Sequence, residues 1–142
     1  MHTWLRLTTA GLSVASVLAV AAPTAMGTRD ATSPPVVKQK AAGFGNILAT
    51  RGHRALYFWN VERDFKVHCT GACAKAWPPL IVRSRAAVPQ RVAGIRGTLA
   101  VVRRPDGKLQ VTHNRRPVYT YAHEAPNQVL CDNVDGWFVV RV

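Results

Sequence analysis

An internal repeat limits the possible architectures of this chain more than any other property. Residues 54–62 and 116–124 share the pattern Arg-x-aliphatic-Tyr-x-aromatic-x-x-Glu, so each position of the first copy has its counterpart 62 residues later. Cys69 and Cys131 have the same offset, and a tryptophan follows each of them almost in register. A stable solenoid needs about three or more copies. The pattern therefore predicts two similar units that pack on each other within one domain.

Short apolar segments follow one another after residue 44, and no long segment has a helical period. β-Branched and aromatic residues are frequent in these segments, and turn signals such as Pro105-Asp106-Gly107 separate them. Strands are predicted at residues 46–50, 54–59, 80–82, 98–102, 109–113, 117–121 and 137–140. We expect residues 44–142 to form a small, single all-β domain. Its two pseudo-repeated units are each a β-hairpin plus a loop, with at most one short helical turn.

The first 27 residues have the parts of a secretory signal peptide. His2 and Arg6 precede an apolar run at residues 11–22, which is shorter than the ~20 residues that a membrane-spanning helix needs. A retained anchor is the alternative. Residues 28–43 contain Thr-Ser-Pro-Pro and Lys-Gln-Lys and are predicted to be a flexible linker. The sequence predicts a secreted or cell-wall-associated protein with no transmembrane span after signal cleavage.

Positive charge dominates the composition, with 19 Lys and Arg against 7 Asp and Glu and a net charge of +12. Cleavage after residue 27 removes Arg6 and no acidic residue, which leaves +11. Such a charge favours anionic cell-wall or membrane-surface polymers as partners, and a compositional bias towards Arg is the alternative. Nucleic acid is not expected, because the chain is predicted to be exported and no recognition-module motif occurs. No cysteine precedes Cys69, so a lipoprotein is not expected.

Three stretches carry a resemblance to a known family. They are Tyr-Phe-Trp-x-x-Glu at 57–62, Cys-Thr-Gly-Ala-Cys-Ala-Lys-Ala-Trp-Pro-Pro-Leu at 69–80, and Arg-Pro-Asp-Gly with Gln-Val-Thr at 104–112. With these motifs, residues 44–142 resemble the bacterial "secreted repeat of unknown function" family, also described as predicted lipoproteins with a Tyr-x-aromatic-x-x-Asp motif. The resemblance implies an exported domain and assigns no catalytic residue. Glu62 and Glu124 replace the motif aspartate, and the lipoprotein cysteine is missing.

The three cysteines allow one intramolecular disulfide. The family motif groups Cys69 with Cys73, and Gly71 between them permits a turn tight enough for a bridge. We therefore expect a Cys69–Cys73 disulfide, with Cys131 free or paired between chains. The alternative joins Cys131 to one of the other two, which would close a loop of about 60 residues and stabilise the fold by roughly 4 kcal/mol.

The repeated glutamates and aromatic residues each allow two interpretations. Glu62 and Glu124 are expected to fix turns by accepting backbone N–H groups, and a general acid/base pair is the alternative. The aromatic side chains are expected to form core, and a ligand groove is the alternative. These aromatic residues are Tyr57, Trp59, Trp77, Tyr119, Tyr121 and Trp137.

Histidines near the cysteines raise the question of a metal site. Its candidate ligands would be His68, Cys69, Cys73, His123 and Cys131, and their spacing matches no known metal or redox motif. No cofactor is expected. Serine-hydrolase chemistry is not expected either, because no Gly-x-Ser-x-Gly motif occurs and the predicted domain holds one serine, Ser84. The sequence predicts a non-catalytic binding module for an anionic surface component. A metal-binding or redox protein is the alternative.

Overall fold

The computed structural model describes residues 33–142, and the predicted signal peptide lies outside this range. Residues 33–142 form eight strands and one short helix, so the prediction of a small all-β domain is confirmed. The helix, α1, spans Ala72–Ala76, and a single 3-10 turn spans Arg85–Ala87. The strands are β1 Val36–Ala41, β2 Gly45–Thr50, β3 Tyr57–Trp59, β4 Ile81–Val82, β5 Leu99–Arg103, β6 Leu109–His113, β7 Arg116–Pro117 and β8 Trp137–Val139.

All strand pairs are antiparallel. β1 pairs with β2, and β3 pairs with β8. β6 lies between β4 and β5 and also pairs with β7, where Asn114 and Arg115 form the connecting turn at positive φ. The predicted strands at residues 46–50 and 54–59 pair with each other only near the turn between them. Residues 54–56 pair with β2, and the chain then joins β8.

The prediction that residues 28–43 form a linker is wrong at β1. Val36 is buried in the core, and β1 pairs with β2 along its whole length, from Val36 opposite Thr50 to Ala41 opposite Gly45. Gly43 and Gly45 adopt positive φ and close the turn between the two strands. The polar Lys-Gln-Lys run concealed the strand, since its two lysines face solvent on one side of the hairpin.

Two closed rings of backbone hydrogen bonds tie distant parts of the chain together. In the first ring, Leu48 N–H donates to Val140 (2.8 Å), Val140 to Leu56 (2.8 Å) and Leu56 to Leu48 (3.0 Å). The second ring runs in the same way through Val111, Leu80 and Val118, with N···O distances of 2.9–3.1 Å. In each ring, two segments from one half of the chain are completed by a segment from the other half. The halves are therefore interlocked rather than stacked side by side.

The core has two parts. Residues of both rings pack together in one apolar cluster, which also contains Val36 and Leu99. The second cluster contains the repeated tyrosines, two tryptophans and two cysteines; its buried members are Ala41, Ile47, Ala55, Tyr57, Cys69, Trp77, Tyr119, Cys131, Trp137 and Val139. Within residues 33–142, no helix is long and apolar enough to cross a bilayer.

Candidate functional site

The two repeated tyrosines meet at the centre of the domain. Tyr57 and Tyr119 exchange backbone hydrogen bonds of 2.8 and 2.9 Å across an antiparallel bridge. Each hydroxyl then donates to the glutamate of the other copy: Tyr57 to Glu124 at 2.5 Å and Tyr119 to Glu62 at 2.7 Å. Burial raises the pKa of both tyrosines well above the ordinary value, so both remain hydrogen-bond donors. The four polar side chains link the halves reciprocally.

Each buried glutamate also holds its following loop. Glu62 accepts the backbone N–H groups of His68 (2.8 Å) and Cys69 (3.1 Å), and Glu124 accepts that of Leu130 (2.7 Å). Burial raises the pKa of Glu124. Exposures of 0% for Glu62 and 3% for Glu124 keep both carboxylates away from a dissolved substrate. These contacts match the expected turn-fixing role.

A column of four aromatic rings runs through the same core. Trp137 stacks on Trp59 (centroid distance 5.3 Å) and on Trp77 (3.9 Å), and Trp77 contacts Tyr121 (4.7 Å). The prediction that Trp77 and Trp137 are buried is confirmed, at 9% and 3% exposure. Trp59 and Tyr121 are half-buried at the two ends of the column. These rings pack against one another, so they form core rather than an open ligand groove.

The cysteine arrangement is the expected one. Cys69 and Cys73 form a disulfide with Cα atoms 5.2 Å apart, and Gly71 between them adopts φ 55°. Cys131 is free and buried, and burial raises the pKa of its thiol. The alternative pairing of Cys131 with Cys69 or Cys73 is therefore wrong in this structure.

The candidate metal ligands do not come together. Among residues 33–142, no three His, Cys, Asp or Glu side chains are grouped as a metal ion would require. The disulfide occupies the sulfurs of Cys69 and Cys73, the imidazole of His68 lies 2.8 Å from Asp64, and His123 lies against the ring of Tyr121. The five proposed ligands cannot form one site in this arrangement.

A basic groove lies beside the disulfide loop. It consists of two adjoining cavities of about 540 and about 380 Å³, which share Val67, Arg104 and Pro105 as their common wall. The larger cavity also has His68, Thr70, Gly71, Ala74 and Asp106 in its lining. The smaller cavity adds Lys66, Val102 and Arg103. We call this feature the basic groove.

Arg104 anchors the shared wall of the basic groove. It is 4% exposed, and its guanidinium donates to Gln110 Oε1 (2.5 Å) and to the carbonyl oxygen of Cys69 (2.9 Å). Its Nε has no hydrogen-bond partner and lies 3.7 Å from an oxygen of Asp106. In the sequence, Arg104 was noted only as part of a family motif. Neither Lys66 nor Arg103 was a candidate site residue, because nothing in the sequence indicated that the segments holding them meet.

Searches of protein-family models, curated proteins and solved structures find no match to this chain. The function must therefore be argued from the geometry and charge of the described residues.

Proposed function

We propose that this chain is an exported, non-catalytic protein of the cell envelope or extracellular space that binds an anionic surface component. The observation that carries the proposal is an excess of uncompensated positive charge. Residues 33–142 contain 17 of the 19 Lys and Arg, since only Arg6 and Arg29 precede them, and 6 of the 7 acids, since only Asp30 does. Two of those six acids, Glu62 and Glu124, are buried and turned towards tyrosines.

Few of the basic side chains meet a carboxylate. Within residues 33–142, the only Lys or Arg side chains within ion-pair distance of an acid are Arg141, at 2.7 Å from Asp132, and the buried Arg104, at 3.7 Å from Asp106. The remaining positive charge faces solvent largely unpaired, and a field of one sign attracts polyanions over a Debye length of about 8–10 Å.

The interlocked core supports the related proposal that the chain arose by duplication and is a member of the secreted-repeat family. The Tyr–Glu pairs cross between the copies, and the turns before the glutamates match as well. Glu62 N–H donates to Trp59 and Glu124 N–H donates to Tyr121, two hydrogen bonds related by the offset of 62 residues. A disulfide in the first loop is also in keeping with an oxidising compartment and hence with export.

Retention on isolated bacterial cell walls tests the proposed function. Protein purified from an exported form should bind the walls at low salt and elute as the ionic strength rises, because salt screens the attraction between charges. A neutral polymer such as dextran should retain none of it. Retention that salt does not change would contradict the proposal, as would copper, zinc or iron found at one equivalent per chain by elemental analysis.

A further inference from the structure

We propose that the basic groove binds a linear polyanion, whose oxyanion groups lie along Lys66, Arg103 and Arg104. The inference rests on the proposed function and gives it a site. It assigns polyanion binding to one concave surface rather than to the basic charge spread over the rest of the domain.

The shape of the groove favours a chain-like ligand over a membrane surface. Its two cavities share Val67, Arg104 and Pro105 in their linings, so a ligand that reaches both must be extended. A flat layer of lipid headgroups cannot follow a concave wall. The large apolar side chains most exposed within residues 33–142 lie outside the lining of both cavities, so they do not extend the groove as a surface that inserts into lipid. These side chains are Val61, Ile81, Leu130 and Val134.

Two of the three charges in the groove are exposed, and two are held in place by hydrogen bonds. Lys66 and Arg103 are exposed, and neither has a carboxylate partner within residues 33–142. One Nη of Arg103 donates to the carbonyl oxygen of Gly107 (2.9 Å), which restrains the side chain at the end of β5. The buried Arg104 is fixed by its bonds to Gln110 and Cys69 and brings a permanent charge to the wall. Because Arg103 and Arg104 are already restrained, these two side chains lose little entropy when an oxyanion binds.

The lining also argues against nucleic acid. Single-stranded nucleic acids bind in basic grooves where bases stack on aromatic side chains. Neither cavity of the basic groove has Phe, Tyr or Trp in its lining, because the stacked rings of the domain are packed into its core. The groove therefore suits a polyanion without bases, with phosphate or carboxylate as the repeated group.

Two double variants with equal charge test the site. The first is Lys66→Gln with Arg103→Gln in the groove; the control is Arg83→Gln with Arg91→Gln, two exposed residues outside its lining. The affinity of the full domain for inorganic polyphosphate and for polygalacturonate is measured at several salt concentrations. The groove variant should bind about tenfold more weakly or worse, and its salt slope should fall by about 2. The control should change affinity by less than about threefold.

The outcomes separate the site from the function. Equal weakening in the two double variants would overturn the groove assignment and leave the proposed function standing. Absence of binding to both polymers at low salt, together with no retention on cell walls, would overturn both. Binding to one polymer only, weakened in the groove variant and not in the control, would support the site and identify its preferred oxyanion. Tighter binding of single-stranded DNA of equal charge, lost in the groove variant, would overturn the assignment to a polymer without bases.

Asp106 provides a variant that should gain affinity. Its carboxylate lies in the lining of the larger cavity and repels an anion there, and Asn keeps the oxygen that accepts the Lys108 N–H (3.0 Å). Asp106→Asn should raise polyphosphate affinity about fourfold, the effect of one unit charge at roughly 5 Å in a high dielectric. Asp135→Asn removes an equal charge outside the groove and should raise polyphosphate affinity less. Equal affinity gains in the two variants would contradict the site.

Discussion

Replacement of Trp137 by Ala tests how strongly the aromatic column holds the two halves together. The indole is 3% exposed, stacks between Trp59 and Trp77, and meets the edge of the Tyr119 ring at 5.2 Å. Burial of a Trp side chain removes about 200 Å² of surface from contact with water, and truncation to Ala loses about three-quarters of that buried area. At about 25 cal/mol per Å², the loss is about 4 kcal/mol. Lost aromatic pairing adds about 1 kcal/mol.

The expected decrease in the free energy of unfolding is therefore about 4–5 kcal/mol, at the upper end of the usual range for a buried Trp. This amount approaches the whole stability of many small domains. Urea denaturation followed by far-UV circular dichroism measures it without relying on the fluorescence that the substitution removes. Trp59→Ala, at the half-buried end of the column, is the matched control and should cost about half as much. A loss below about 1 kcal/mol for Trp137→Ala would refute the packing argument.

Three further predictions concern titration, connectivity and the free thiol. Because burial raises the pKa of Glu124, the folded protein binds this proton more tightly than the unfolded chain does. The contribution of Glu124 to stability is therefore greatest below its ordinary pKa and falls as pH rises through the raised value. Glu124→Gln should reduce this loss of stability with pH, measured by urea titrations at pH 4–7. An unchanged dependence of stability on pH would exclude Glu124 as its source. A specific protease site inserted between residues 93 and 94 should give a cleaved protein whose fragments co-elute in native buffer and separate in urea, whereas separation in native buffer would show that the halves are not interlocked. Iodoacetamide should leave Cys131 unmodified in the native protein. In urea without reductant it should add one carbamidomethyl group per chain, measured by mass spectrometry. A disulfide-linked peptide containing Cys131 would contradict the disulfide assignment.

Local signals predicted most of the strands. Pro105, Asp106 and Gly107 mark the turn between β5 and β6, and Asn114 and Arg115 take positive φ where the sequence indicates the next turn. Such signals depend on a few neighbouring residues and can be read directly from a chain. The strand β1 was missed because its exposed lysines and the preceding prolines have the composition of a linker.

The same local signals could not predict which distant residues pair. The repeat made Tyr57 and Tyr119 counterparts, yet nothing local indicates that each hydroxyl reaches the glutamate of the other copy. The basic groove was missed for the same reason, since Lys66 and Arg103 come from segments nearly forty residues apart. Side chains that meet only through tertiary structure leave no periodic pattern in the sequence.

The closed hydrogen-bond rings have a consequence for the order in which the chain can fold. Synthesis proceeds from the N-terminus, so Leu48 and Leu56 leave the ribosome long before Val140, which completes their ring. Until then β3 lacks its partner β8 and presents an unpaired edge. The ring through Leu48 and Leu56 therefore stays incomplete until Val140 has been synthesised, whereas the ring through Leu80, Val111 and Val118 can close earlier.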